Sequence, residues 1–259
     1  MSTMPAVVAV HTFREAVRDR VLYNLIIFAL MMIGGAILVG EISIGVQQMV
    51  IVNLGLSAIS IFGIIMAIFI GVGLVHKEME KRTLYSLLAK PIRRWEFLVG
   101  KFAGLLLTLL VNTALMTLGL TAALYYVSRT FERSEVAILV AVYFILLELA
   151  LITALALFFS CFSSPLLSTL YTLGIYVAGV FALDIKGVGE YTQSPAMAAG
   201  ARFVYYLLPN FHNFNVIAAA AHGETIPFTL IWHNTLYAAL YVILILVAAS
   251  AVFSGRNLK

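Results

Sequence analysis

The sequence predicts an all-α, polytopic membrane protein that forms one transmembrane domain over residues 1–259. Apolar residues make up 63% of the chain and charged residues 11%, whereas soluble domains contain about 25% charged residues. The mean hydropathy is +1.04, and six apolar stretches approach or exceed the roughly 20 residues that cross a bilayer. One cysteine excludes a disulfide framework and cysteine-based metal sites.

The six predicted transmembrane spans leave only short segments between them. They cover residues 21–40, 49–75, 102–127, 136–159, 166–183 and 226–253. All six prolines lie outside these spans or, for Pro227, in a first turn, where proline is tolerated. The chain therefore divides into an interfacial helix, spans one to five, an outer segment, and the last span with its tail: residues 1–20, 21–183, 184–225 and 226–259.

The basic residues predict the orientation. With both termini in the cytoplasm, twelve Lys and Arg residues lie inside and four lie outside. Loops rich in Lys and Arg stay in the cytoplasm, so the opposite orientation is disfavoured. The net charge of +4 thus reflects topology, and we expect no nucleic acid partner.

The N-terminal segment predicts an amphipathic helix in the cytoplasmic interface. Its apolar residues recur at helical spacing: Val10, Phe13, Val17 and Val21. Its charged residues fall on the other face: Arg14, Glu15, Arg18 and Asp19. This pattern favours a helix lying in the membrane surface over an ordinary charged lead-in to the first span.

The cytoplasmic segment 76–101 is charged at both ends and apolar in its middle. Charges cluster at 77–82 and 90–96, around an apolar patch formed by Leu84, Tyr85, Leu87 and Leu88. Pro91 is able to begin a short helix with one stripe made of Trp95, Leu98 and Phe102. Two interpretations stay open: a docking surface for another protein, or a basic collar on anionic headgroups.

The outer segment 184–225 is long and apolar. Residues 196–209 and 214–221 are too short to span the bilayer and suit re-entrant or interfacial helices. Aromatic residues surround them: Tyr191, Phe203, Tyr205, Tyr206, Phe211 and Phe214. The segment is either a gate or a cap on the bundle, and composition alone favours the cap.

Glu148 is the one formal charge within the predicted spans. An ionised carboxylate near the midplane costs a few kcal/mol and normally faces the bundle interior. It is either a substrate contact or proton-sensitive gate, or a structural carboxyl bonded to another helix, which we favour. Asn112, His233 and Asn234 are candidate partners. Small-residue pairs at Gly100 with Gly104 and at Gly174 with Ala178 permit close helix approach.

Catalytic motifs are absent from the sequence. A phosphate loop ending at Gly100-Lys101 would need Gly at position 95 and Ser or Thr at 102, where Trp and Phe stand. The five histidines are scattered and form no HExxH motif. We therefore expect no enzyme, no ATPase site, and no metal or cofactor in this chain.

Segment 76–101 and the six-span layout resemble the ABC-2 type permeases of ATP-binding-cassette exporters. The resemblance rests on an acidic residue and a Thr after span two, then leucines, a proline, a basic residue, an aromatic and Gly-Lys. Here these are Glu78 or Glu80, Thr83, Leu87, Leu88, Pro91, Arg93 or Arg94, Phe97, Gly100 and Lys101. Arg82 stands where many members have Gly.

The resemblance implies an exporter subunit driven by a separate ATPase that binds ATP and Mg. The ATPase would contact a coupling helix between spans two and three, including Glu78, Glu80, Arg82, Thr83, Leu84, Leu87, Pro91, Arg93 and Arg94. A second permease copy would complete the path in the bacterial or archaeal inner membrane, with both termini cytoplasmic. The outer segment would become a gate, including Tyr205, Tyr206, Pro209 and Phe211.

Two other function classes stay open. Three plus three spans of opposite orientation would allow the inverted repeat of an ion-coupled secondary transporter, although the two halves share no obvious pattern. The same spans would also suit a membrane anchor or assembly factor that transports nothing and has no translocation path.

Overall fold

The computed structural model describes residues 4–18, 20–43, 45–80, 94–128, 134–191 and 194–255. These residues are almost entirely helical and include no strand, which confirms the predicted all-α class. In chain order the helices are α1 Met4–Val17, α2 Arg20–Ile42, α3 Gln47–Glu80, α4 Arg94–Ser128, α5 Ser134–Ser160, α6 Pro165–Val180, α7 Ala182–Tyr191, α8 Pro195–Leu207, α9 Ile217–Ala221 and α10 Phe228–Gly255, with a 3-10 helix at Phe211–Phe214.

Four helices of the described chain are long and apolar enough to cross a membrane. Their apolar parts are Gln47–Gly73, Trp95–Ser128, Val136–Ser160 and Phe228–Phe253. The predicted fifth span 166–183 is instead broken: α6 ends at Val180, and α7 continues at an angle of 58°. Counting that pair as one span gives five. The apolar part of α2, Leu25–Gly40, is shorter, so the sixth span stays a prediction.

Helix α5 lies at the centre of the fold. It packs against α3, α4, α6, α9 and α10, and most of its side chains between Ile138 and Leu157 are buried. Glycines of α3 allow the backbones to approach closely: a Cβ at Gly63 would meet Leu149 at 2.8 Å, and one at Gly71 would meet Ala156 at 3.0 Å. Small residues are needed for such contacts between membrane helices.

A small buried cluster joins the two ends of the described chain. It contains Val8 of α1, Phe97 and Leu98 of α4, Cys161 after α5, and Ala249 and Phe253 of α10. The Phe97 and Phe253 rings stack with centroids 6.2 Å apart. Both described chain ends therefore lie at one end of the bundle, the end where α4 begins. We call these six residues the terminal cluster.

Helix α1 packs along the first turns of α4 through a face of small side chains. Val8, Thr12 and Ala16 are buried, while Val10 is 47% exposed. The predicted apolar stripe of Val10, Phe13 and Val17 is therefore not the packing face, which was not expected. On a helical wheel that stripe lies between the packing face and the charged face. The interfacial position of α1 stays a prediction.

The prediction of a separate short helix before span three is wrong for the described residues. Trp95, Leu98 and Phe102 belong to α4 itself, which runs without a break from Arg94 to Ser128. Leu98 is buried in the terminal cluster, because α1 and α10 both cover this part of α4. Packing against these helices extends α4 below the predicted start of its span at residue 102.

Candidate functional site: a polar cavity inside the helix bundle

A cavity of about 90 Å³ lies among α3, α5, α6 and the outer segment. Glu148 of α5 is 8% exposed and lines it together with Ser60 of α3 and Tyr176 of α6. The outer segment contributes Phe211, His212, Phe214, Asn215 and Ile217, and the helices add Ile145 and Val180. The cavity thus brings a carboxyl, two hydroxyls and aromatic rings together in the bundle interior.

Two hydroxyl groups hold the Glu148 carboxyl. The Ser60 hydroxyl donates to Oε2 across 3.5 Å, and the Tyr176 hydroxyl lies near enough to the carboxyl to interact with it. The Ser60 distance exceeds the usual O–H···O range of about 2.5–3.0 Å. Since an ionised carboxyl accepts about four hydrogen bonds, these two donors leave capacity for another group in the cavity.

The predicted partners of Glu148 lie elsewhere. The Asn112 amide donates to the Met66 sulfur at 3.7 Å. The Asn234 amide donates to the Asn213 carbonyl at 2.9 Å. His233 is exposed, and its ring nitrogen lies 2.6 Å from the carbonyl of Thr229 in its own helix. The expectation that these residues pair with Glu148 is therefore wrong, because each bonds to another group.

The outer segment folds back between the helices after α8. The 3-10 helix at Phe211–Phe214 contacts α5 and α6, and α9 contacts α3 and α5. Phe211 and Phe214 are each 1% exposed. A Cβ at Gly179 of α6 would meet the Pro209 carbonyl oxygen and the Phe211 ring, so the backbones are in close contact here. By contrast, α8 buries none of its residues.

Three side chains of α10 bind the backbone of this segment. The Tyr237 hydroxyl accepts from the Asn210 amide at 2.8 Å, and Asn234 donates to Asn213 as described above. The Tyr241 hydroxyl donates to the Tyr206 carbonyl at 3.3 Å. Positions 234, 237 and 241 share one helical face. Buried backbone groups outside regular helices need hydrogen-bond partners, so these contacts of α10 hold the segment in place.

Removing these tethers is expected to destabilise the outer segment. Tyr237→Phe leaves the Asn210 amide without its acceptor, and Asn234→Leu leaves a carbonyl without its donor. An unsatisfied buried group costs about 1–3 kcal/mol. Asn210 is buried and Asn213 is exposed, so thermal unfolding of the purified protein should shift downward in both variants and further in Tyr237→Phe. The adjacent His233→Gln is the matched control because His233 is exposed. Equal shifts in all three variants would contradict the tether.

The predicted gate residues separate into two groups. Pro209 is buried and Phe211 lines the cavity. Tyr206 is 74% exposed, and Tyr205 lies beside it with ring centroids 5.3 Å apart. Lys186 of α7 lies over the Tyr205 ring at 5.2 Å. Tyr205 and Tyr206 therefore belong to the α7–α8 surface and do not line the cavity.

The predicted coupling residues Arg82, Thr83, Leu84, Leu87, Pro91 and Arg93 lie outside the described residues. For Glu78 and Glu80, at the end of α3, and Arg94, at the start of α4, only the backbone is described. The described residues on either side of segment 81–93 are thus the end of α3 and the start of α4.

Sequence reasoning missed Ser60, Tyr176, His212 and Asn215 as cavity residues. The only sequence signal for any of them was the polar character of Ser60 and Tyr176 within apolar spans.

The predictions of close helix approach at small residues had mixed outcomes. Gly100 and Gly104 do permit a close approach, since a Cβ at either would lie within 3 Å of α1 atoms. Gly174 has nothing within 4 Å among the described residues, so no close helix approach is made there at Gly174.

Together these features define a multi-pass helical membrane protein with a polar site enclosed by its helices. No cluster of three or more His, Cys, Asp or Glu that would hold a metal ion occurs in the described parts of the chain. The chain belongs to the ABC-2 family transporter proteins, whose family model matches residues 6–258. This confirms the predicted resemblance. Permeases of this family are membrane subunits and not ATPases. None of the curated proteins compared with the chain matches it.

Proposed function

We propose that the chain is the transmembrane permease subunit of an ABC exporter. Two permease copies form the path, and a separate ATPase bound to ATP and Mg drives each copy. The observation that carries this proposal is the match to the family model of the ABC-2 family transporter proteins, which covers residues 6–258. The proposed membrane is the bacterial or archaeal inner membrane.

Helices α3 and α4 support an ATPase contact because both are longer than the bilayer requires. Their 34 and 35 residues correspond to about 50 Å each, against a hydrocarbon core of about 30 Å. Segment 81–93, which carries the charged and apolar residues of the coupling hypothesis, connects their tips. Movement of a partner bound there would act on two helices that extend into the bundle core.

The proposed topology has six spans with both termini in the cytoplasm. Helix α2 is the first span and the bent pair α6–α7 is the fifth. The 3-10 helix and α9 form a re-entrant element on the outer side, and α8 lies in the outer interface. The excess of Lys and Arg around segment 76–101 supports this orientation.

The coupling segment is tested by capture of a co-expressed ATPase on the detergent-purified permease. We expect the parent chain to retain its ATPase and the double variant Arg82→Glu with Leu87→Asp to lose it. Reversing a charge and placing a carboxylate in an apolar contact should each cost more than about 1.4 kcal/mol, so binding should fall at least tenfold.

Arg202→Glu is the matched control for the coupling variant. It reverses an exposed charge on α8, on the proposed outer side, and should leave ATPase capture unchanged. Retention of the ATPase by the double variant would overturn the coupling hypothesis. So would labelling of residues 76–101 from the periplasm of intact cells.

A further inference from the structure

In the Glu148 cavity the carboxyl is buried, and the exposed lining residues belong to the outer segment. Glu148 is 8% exposed, whereas the lining residues His212 and Asn215 of the outer segment are exposed. A ligand would therefore enter past the outer segment and meet the carboxyl last. The volume of about 90 Å³ exceeds the 10–15 Å³ that one water needs. It suits a small head group and not a whole drug-sized molecule.

The charge of the cavity points to a cation. Glu148 is the one carboxyl among the described residues that line it, and none of those residues is Lys or Arg. An ionised carboxylate at this depth is costly without a positive partner. A positively charged ligand group would supply that partner and use the capacity that Ser60 and Tyr176 leave open.

The ligand set disfavours a divalent metal ion. Calcium takes about six to eight oxygen ligands, and magnesium requires near-ideal octahedral geometry. The cavity offers one carboxyl, and its other polar groups, on Ser60, Tyr176, His212 and Asn215, are too few to complete such a shell of oxygen ligands. Phe211, Phe214 and Tyr176 supply three rings, and the Tyr176 and Phe211 centroids lie 5.2 Å apart at an interplanar angle of 60°. Aromatic faces attract organic cations through the ring quadrupole.

We propose that this cavity binds the ammonium group of a cationic amphiphile. Glu148 neutralises the charge, and Tyr176, Phe211 and Phe214 surround the head group. Val177 of α6 and Phe181, directly after α6, follow the lining residues Tyr176 and Val180 in sequence and are 45% and 54% exposed. They give an attached apolar chain a surface that continues into the lipid. The inference deepens the proposed export function and rests on it for the role of the ligand as substrate.

Binding is tested on the full chain purified in an uncharged detergent. Radiolabelled butyltrimethylammonium is the probe, measured by equilibrium dialysis without any ATPase. We expect saturable binding at one site per chain. The uncharged alcohol 3,3-dimethylbutanol has nearly the shape of the head group, and it should not displace the probe. An equal effect of this alcohol would overturn the proposal, because shape alone would then explain binding.

Two variants test the residues. Glu148→Gln keeps the size of the side chain and removes its charge, so probe affinity should fall at least about tenfold. Phe211→Leu removes one aromatic face and should weaken binding about two- to tenfold. The matched control is Asn112→Leu, a buried polar residue that bonds to Met66 and does not line the cavity. Its probe affinity should match that of the parent.

Absence of saturable binding by the parent chain, or full affinity in both cavity variants, would overturn the ammonium site. Should Glu148→Gln fail to fold, Phe211→Leu and Phe214→Leu decide the outcome by the same measurement. ATPase capture by segment 76–101 is independent of this assay. A chain that captures the ATPase but binds no probe would refute the ligand class alone, whereas failed capture would refute the proposed function.

Discussion

Gly179→Ala is expected to displace the outer segment from the bundle. The new Cβ would overlap the Pro209 carbonyl oxygen and lie 2.6 Å from Cδ2 of the Phe211 ring. A backbone carbonyl has no rotamer that would relieve the overlap, so α6 and the outer segment must separate. Overpacking of this kind costs about 1–3 kcal/mol, occasionally more. The thermal unfolding temperature should fall accordingly.

Displacement of the outer segment is measured by the maleimide reactivity of a cysteine placed in α9. Ala220 is 1% exposed, and Ala220→Cys should react slowly with a maleimide in the parent background. Adding Gly179→Ala should speed the labelling, because α9 follows the displaced residues in the chain. The native Cys161 is buried and contributes little background.

Gly174→Ala is the matched control because it lies on the same helix and has nothing within 4 Å of its built Cβ. Alanine is otherwise better than glycine in a helix by about 0.5–1 kcal/mol. The control should therefore unfold at the parent temperature or slightly above it. Equal destabilisation by both substitutions, or unchanged labelling at position 220 in the Gly179 variant, would argue against the close contact.

Hydropathy predicted the long helices well because a helix that crosses the bilayer must be mainly apolar over about 20 residues. Spans 49–75, 102–127, 136–159 and 226–253 correspond to α3, α4, α5 and α10. The prolines also marked boundaries: Pro165 and Pro195 occupy the first turns of α6 and α8. The break after Val180 was missed, since residues 166–183 contain no charged residue and no proline, and the bend occurs where the outer segment packs against α6.

The partners of Glu148 were beyond prediction for a different reason. Many hydroxyls in these spans bond to carbonyls of their own helices, as Thr113, Thr117 and Thr153 do. Hydroxyl content therefore does not reveal which residue faces another helix. Ser60 and Tyr176 reach Glu148 only because α3, α5 and α6 are rotated to meet at one cavity. The sequence pattern does not show how these helices are rotated, because they are apolar on every side and their packing alone decides which face is buried.

The packing face of α1 was missed because periodicity emphasises large apolar residues. Val10, Phe13 and Val17 form the conspicuous stripe, yet Val8, Thr12 and Ala16 are the buried residues. Small side chains mark this contact because α1 lies directly on the glycines of α4. The sequence contained the signal at Gly100 and Gly104, but nothing in it identified α1 as their partner.

Replacing both glycines, Gly100→Ala with Gly104→Ala, is expected to lift α1 off α4. The Cβ at position 104 would lie 2.5 Å from the Ala9 carbonyl oxygen, and the Cβ at position 100 would lie 2.8 Å from the Pro5 carbonyl oxygen. Both obstacles are backbone atoms, so each site should cost about 1–3 kcal/mol. Separation of the two helices would also break the ion pair between Lys101 of α4 and Glu15 of α1. The Lys101 side chain is 1% exposed, and its Nζ lies 4.0 Å from Oε2 of Glu15.

The native cysteine reports this movement without further engineering. Cys161 is the one cysteine in the chain and is fully buried in the terminal cluster with Val8 of α1. Its reaction with a maleimide should accelerate in the double variant and stay slow in Gly73→Ala, a glycine of α3 with nothing within 4 Å. Unchanged labelling in the double variant would mean that α1 does not cover the cluster. Faster labelling would mean that contact with Gly100 and Gly104 holds α1 over the cluster at the start of α4.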